Sequence, residues 1–163
     1  APHGGNIALD SYRGVVISGG SLSKDAVEET LQWYRRFLDK VKVPVLGVCL
    51  GMKIIGRCYD ARIRRLETDE TGATTLTFHR PYPLAPNHAQ LVVHEDHSFE
   101  LISLPKGFDN YASSSRCNIQ AVKHRDKPLF AVQFHPEVTE NNQGRIILDN
   151  FLTFSLRYAG EAD

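Results

Sequence analysis

The segment Val43-Pro44-Val45-Leu46-Gly47-Val48-Cys49-Leu50-Gly51-Met52-Lys53-Ile54-Ile55 constrains the fold more than any other stretch of the chain. It starts as the short apolar run expected of a strand buried on both faces, breaks at Cys49, and resumes with helical spacing. A strand that bends sharply into a helix lifts the residue at the bend clear of the sheet. Gly47 and Gly51, two residues to either side, keep Cβ atoms out of the crowded turn. The pattern G-x-C-x-G is thus the thiol form of a nucleophile elbow. The following helix aims free N–H groups and its positive dipole end at the sulfur, which favours thiolate over thiol. Two readings fit Cys49: an activated nucleophile, or a small apolar residue ending a core strand.

The 163 residues suffice for one domain, residues 1–163, with a substantial core. Nineteen basic residues balance 19 acidic ones, so no global field points to nucleic acid or an anionic membrane, and a small-molecule or protein partner is expected. The odd set Cys49, Cys58 and Cys117, with no leading apolar segment, suits a reducing cytosol better than a disulfide framework. No run approaches the roughly 20 apolar residues of a membrane span. The chain begins with Ala1 rather than Met, as it would if its start had been processed or cut away.

Ala1 to Ser11 reads as a loop. Tyr12-Arg13-Gly14-Val15-Val16-Ile17-Ser18-Gly19-Gly20-Ser21 then reads as a buried strand running into a glycine turn, where main-chain N–H groups can approach a ligand or simply turn the chain. Ser23 is placed to cap a helix through about Lys40, with Val27, Leu31, Tyr34 and Leu38 on one face. That helix serves as a crossover to a parallel Cys49 strand. Arg57 to Glu70 carries Arg57, Arg62, Arg64 and Arg65, then Glu67, Asp69 and Glu70, and is expected to be a solvated, self-compensating surface in preference to a phosphate patch. Thr71 to Val93 mixes β-formers with prolines and predicts short antiparallel strands; Leu104 to Phe108 is a turn, and Asn118 to His124 a strand with one wet face. A closing helix from about Asn142 to Tyr158 should bury Ile147, Phe151, Phe154 and Tyr158 and stop at Gly160.

The second informative segment, Pro128 to Val138, is a strand ending in His135-Pro136-Glu137. Residues i and i+2 of an extended chain project to one side, and Pro136 is expected to hold the backbone extended between them. A thiol nucleophile needs a base to take its proton, and the base needs a carboxylate to fix its tautomer. Cys49, His135 and Glu137 supply those three roles, and Cys58 and Cys117 are assigned no chemistry.

On these residues the chain resembles the class I (triad) glutamine amidotransferases, from about Tyr12 to the final helix. Ser18-Gly19-Gly20-Ser21 is similar to the family's oxyanion strand, Gly47-Val48-Cys49-Leu50-Gly51 to its nucleophile elbow, and Gln133-Phe134-His135-Pro136-Glu137 to its His/Glu strand. Asp96-His97-Ser98-Phe99 resembles the segment whose backbone holds the amino-acid end of glutamine. The resemblance implies attack by Cys49 on the carboxamide of L-glutamine, a γ-glutamyl thioester, hydrolysis to glutamate, and ammonia passed to a synthetase partner. It also implies that the N–H groups of Gly20 and Leu50 hold the oxyanion, and that Gly19, Gly51, Lys53, Ser98 and Phe99 contact substrate. No metal and no cofactor is implied in this domain; ATP and Mg are expected only in the partner. Leu104 to Phe108, Ala121 to His124 and Phe134 to Val138 look most like the glutaminase part of GMP synthetases, which places the chain in purine biosynthesis. His97-Ser98-Phe99 leans toward the glutaminase components of anthranilate and aminodeoxychorismate synthases, and a regulatory module or γ-glutamyl hydrolase on the same fold is a further alternative.

Two departures from the family pattern bear on function. Lys53 stands where the family usually has glutamine, and only Ala1 to Ser11 precede the Gly-Gly strand, where the family has a strand, helix and strand. The expected architecture is therefore α/β, a mostly parallel flavodoxin-like sheet with helices on both faces, apparently lacking that first unit. Such a chain should need the missing segment or a synthetase partner for full activity.

Overall fold

The computed structural model describes residues 11–20 and 24–160. In chain order the elements are β1 (Val15–Ile17), α1 (Lys24–Lys40), β2 (Val45–Val48), α2 (Leu50–Cys58), β3 (Ile63–Phe78), β4 (Gln90–Leu101), β5 (Phe108–Ser113), β6 (Ala121–His124), β7 (Leu129–Val132) and α3 (Arg145–Gly160). They form one seven-stranded sheet in the order β1-β2-β7-β6-β5-β3-β4. The β1–β2 and β2–β7 pairs are parallel; β7–β6, β6–β5, β5–β3 and β3–β4 are antiparallel. Parallel pairing is thus confined to the three strands whose C-terminal ends carry Gly19, Cys49 and His135.

Alternation along β2 and β7 divides the core into two layers. Val45, Leu129 and Ala131 pack with Leu31, Leu38, Met52, Ile54 and Ile55 of α1 and α2. Leu46, Val48, Phe130 and Val132 pack on the other face with Ile147 and Phe151 of α3. Strands covered on both faces need apolar residues at every position, which is why these two carry no polar alternation. Of the expected helix faces, Leu31, Leu38, Ile147 and Phe151 are buried and Tyr34, Phe154 and Tyr158 partly so, while the side chain of Val27 lies outside the described residues. The proposed cap Ser23 lies outside the described residues.

Several local expectations are corrected. The strand expected to be buried before the glycine turn spans only Val15–Ile17 and is buried at Ile17 alone; Ser18-Gly19-Gly20 leave the sheet as expected, and Ser21 lies outside the described residues. The short strands expected over Thr71 to Val93 are instead two long antiparallel arms, in register from Ile63↔Leu101 to Thr77↔Gln90 with an irregularity between Arg65 and Glu70. Arg57, Arg64 and Arg65 do pair with Glu28, Glu100 and Asp69. Glu70 departs from that solvated pattern: its side chain is 1% exposed and turned toward His97.

Candidate active site

Cys49 stands between β2 and α2 with φ 48° and ψ −99°, a backbone conformation that side-chain-bearing residues avoid at a cost of about 1 to 3 kcal/mol. Three contacts hold it there. Its N–H donates to the Val132 carbonyl at 2.9 Å, and its own carbonyl accepts the Lys53 N–H at 3.2 Å. Gly51 lets α2 press against β1: a Cβ on Gly51 would lie 2.0 Å from the Ile17 carbonyl oxygen, and one on Gly47 would lie 2.7 Å from Ile55 Cδ1. The two elbow glycines therefore do what their spacing predicted.

His135 stands close enough to Cys49 to lower the pKa of its thiol, and its Nδ1 lies 2.6 Å from Glu137 Oε1. The carboxylate fixes the ring from one side while the sulfur occupies the other. The route differs from the expected one, since Pro136 and Glu137 form a turn, with the Val138 N–H donating to the His135 carbonyl at 3.4 Å, instead of an extended run. Gly19 packs flat against this pair: a Cβ there would lie 2.8 Å from His135 Cε1 and 3.7 Å from Cys49 Cβ. Gly20 adjoins Leu50, its would-be Cβ 3.7 Å from Leu50 Cδ2. Because the Lys53 N–H is the donor to the Cys49 carbonyl, the N–H groups of Leu50, Gly51 and Met52 precede the first helical bond of α2, and no backbone partner for them is found among the described residues.

The electrostatics favour a thiolate. Burial pushes the Cys49 thiol up, yet the His135 hydrogen bond and the charges of Lys53, His135 and His97 outweigh it and leave the pKa below its ordinary value. His135 is raised to about 9, first by its bond to Cys49 and also by Glu137, against the effect of burial. Both shifts run in the direction that favours a thiolate–imidazolium pair. Burial instead raises Cys58 to about 11 and Cys117 to about 12, so neither competes as a nucleophile. All three cysteines are free and buried.

Lys53 lies four residues along α2 from Cys49, its Nζ 3.6 Å from Sγ and the residue 7% exposed. Gln133 Nε2 approaches Sγ at 3.7 Å, and the sulfur lies 3.8 Å from the Asp96 carbonyl. Of the segment Asp96 to Phe99, the Asp96 backbone is what reaches the nucleophile. Ser98 is half-buried, and the ring of Phe99 is exposed while its carbonyl is engaged by His97 Nδ1 at 3.0 Å.

Sequence reasoning missed a buried charge cluster behind this segment. His97 Nε2 lies 3.1 Å from Glu70 Oε2 and 3.2 Å from Glu95 Oε2, and Ser114 donates to Glu70 Oε1 at 2.8 Å. Burial works against the His97 charge, but the two carboxylates raise its pKa to about 9. Burial raises Glu95, whereas Glu70 is held low by His97 and Ser114 despite its own burial. The ligand atoms of Glu70, Glu95 and His97 lie within 4.8 Å of one another, a grouping able to surround a cation. The imidazolium already occupies the position between the two carboxylates. The cluster had one visible signal: Leu91, Val93, Glu95 and His97 continue a single inward-facing alternation along β4.

A family model described as glutamine amidotransferase class-I matches residues 4–154. The chain is 32% identical over 151 residues to a glutamine-hydrolysing GMP synthase subunit of Thermoplasma acidophilum, covering 92% of this chain and 76% of that protein. It is 35% identical over 145 residues to the corresponding Thermoplasma volcanium protein, covering 88% and 72%. A crystal structure from T. acidophilum, described as that of a GMP synthase subunit, superposes with a TM-score of 0.86 at 32% identity, covering 94% of this chain and 78% of that one. The match takes in the elbow, the glycine turn and the His135-Pro136-Glu137 turn together, and on that ground the chain belongs to the class-I glutamine amidotransferases, a family of enzymes.

Proposed function

We propose that Cys49, His135 and Glu137 hydrolyse the side-chain amide of L-glutamine and that the released ammonia is passed to a synthetase partner of the GMP synthase type. The observation that carries this reading is a cysteine at a strained elbow whose thiol pKa is lowered by His135, with Glu137 Oε1 2.6 Å from the imidazole Nδ1. The thiolate attacks the amide carbon. Negative charge then develops on the carbonyl oxygen and is received by the N–H groups of Gly20 and Leu50, where one such donor is worth roughly 3 kcal/mol of barrier. His135 gives its proton to the departing nitrogen, ammonia leaves, and a γ-glutamyl thioester remains on Cys49. Neutral His135 next takes a proton from water, the hydroxide adds to the thioester, and glutamate departs as the thiolate re-forms. Glu137 stabilises the imidazolium in both halves.

Support for a GMP synthase-type partner comes from the identity with the two Thermoplasma proteins. ATP and Mg belong to the partner in this reading, and no cofactor serves the glutaminase step. Three unpaired cysteines suit a reducing, cytoplasmic location. Among the described residues no helix is long and apolar enough to cross a membrane. The test is glutamate release from glutamine with and without the synthetase partner, together with trapping by diazo-oxo-norleucine located by mass spectrometry. Alkylation of Cys49 is the expected result; alkylation confined to Cys58 or Cys117, or no glutamate under either condition, overturns the reading.

A further inference from the structure

We propose that Lys53 is a self-acylation site: the γ-glutamyl group carried by Cys49 passes in a fraction of turnovers to the Lys53 amine as a stable isopeptide. The inference rests on the glutaminase reading, because it needs the thioester. Its basis is geometric. Residues four apart on a helix share a face, and here the shared face brings Nζ to 3.6 Å from Sγ. In the thioester the acyl carbon is bonded directly to that sulfur. An amine held 3.6 Å from that sulfur is within reach of a carbon bonded to it, the proximity that speeds a reaction between bound groups.

Acylation also changes what holds the lysine proton. Before reaction, burial disfavours the Lys53 charge, while the Cys49 thiolate favours it through both a hydrogen bond and its charge. Forming the thioester removes that negative charge and leaves the burial in place. The His97 imidazolium repels Lys53 across the site, while the charges of Cys117 and Glu95 favour the ammonium but rank below the Cys49 contribution that is lost. The amine is thus driven toward its neutral, nucleophilic form at the moment an electrophile appears beside it. Water, activated by His135, competes for the same carbon.

The step balances without an outside reagent. The Lys53 ammonium first loses one proton to solvent water; its nitrogen then forms a bond to the acyl carbon, the C–S bond breaks, the electron pair returns to Cys49 as thiolate, and the second proton goes to neutral His135. The product is a γ-glutamyl amide on Lys53 and a restored Cys49–His135 pair. The tethered glutamyl group fills the substrate position and removes the lysine charge. Each event ends the activity of one molecule in proportion to the glutamine it has consumed.

The experiment is prolonged turnover of the whole chain, in the presence of the synthetase partner, with isotope-labelled glutamine, followed by hydroxylamine treatment, trypsin digestion and mass spectrometry. Hydroxylamine cleaves a thioester and spares an isopeptide, and trypsin does not cut after an acylated lysine. The expected result is a hydroxylamine-resistant labelled glutamyl group on Lys53, a missed cleavage there, and loss of activity in step with labelling. Lys53→Arg, whose guanidinium stays protonated, should form the hydroxylamine-labile adduct on Cys49 and no resistant one. Recovery of γ-glutamyl hydroxamate with Lys53 unmodified after many turnovers overturns the inference and leaves the glutaminase reading standing. Absence of both the hydroxamate and the resistant label overturns the two together.

Discussion

Glu137 Oε1 meets His135 Nδ1 at 2.6 Å across a turn, with Glu137 half-exposed and His135 largely covered. The short reach of that turn holds the imidazole in place, and the carboxylate supports the imidazolium. Glu137→Gln keeps the shape and removes the charge, so kcat for glutamine should fall roughly 10²-fold or more, with KM little changed. Steady-state kinetics check this, and an unchanged kcat would remove Glu137 from the triad.

Cys49→Ala should abolish glutamine hydrolysis and leave the fold intact, because one sulfur is lost at the mouth of the site, whereas Cys58→Ala should remain active. Cys49→Gly adds a second readout. The left-handed φ of 48° strains alanine and suits glycine, so Cys49→Gly should exceed Cys49→Ala in stability by about 1 kcal/mol. Urea unfolding of the two inactive variants measures the strain at the elbow directly.

Lys53→Gln should raise kcat/KM for glutamine, mainly by lowering KM. The lysine ammonium sits in a closed site, repels the substrate α-ammonium group and offers no acceptor, a mismatch costing roughly 1 to 3 kcal/mol. Its help to the thiolate is smaller, because His135 and the α2 dipole already favour ionisation and a more acidic thiol is a weaker nucleophile. A fall in kcat/KM for Lys53→Gln would show that the lysine is adapted to another substrate or to a partner's signal.

His97 makes stability depend on pH. Its folded-state pKa, about 9, lies above the ordinary 6.5, so its protonated form is bound more tightly in the folded protein. That contribution is fully present below about pH 6.5 and is lost as pH rises through about 9. Denaturant titrations at pH 6 and pH 9.5, made on Cys49→Ala to remove the thiolate pair, should show the higher stability at pH 6. The difference should largely disappear in His97→Gln, which should itself be destabilised by roughly 3 to 5 kcal/mol through the carboxylates it leaves unpaired.

The elbow, the glycine turn and His135-Pro136-Glu137 were legible because each is contiguous and each function follows from a few adjacent residues. Their convergence followed from parallel strands ending on one edge of a sheet. The Glu70, Glu95 and His97 cluster was not legible, because it depends on pairing between β3 and β4 across a register irregularity between Arg65 and Glu70, which no local pattern encodes. Strand β5 went unread because Asp109, Asn110 and Ser113 look like loop residues, although it lies between β6 and β3. The mixed character of the sheet has the same origin: apolar runs identify buried strands, and partner direction is set by connections distant in sequence.

The contact between Gly51 and Ile17 has a mechanical meaning. The Ile17 carbonyl stands where a side chain at position 51 would begin, so backbone against backbone fixes how far β1 lies from α2. Gly20 extends from β1 and Leu50 opens α2, so the same spacing sets the gap between the two N–H groups proposed to receive the oxyanion. Among the described residues β1 is an edge strand of the sheet, and Val16 on it is 48% exposed. Whatever fixes the position of β1 against α2 therefore fixes that gap as well.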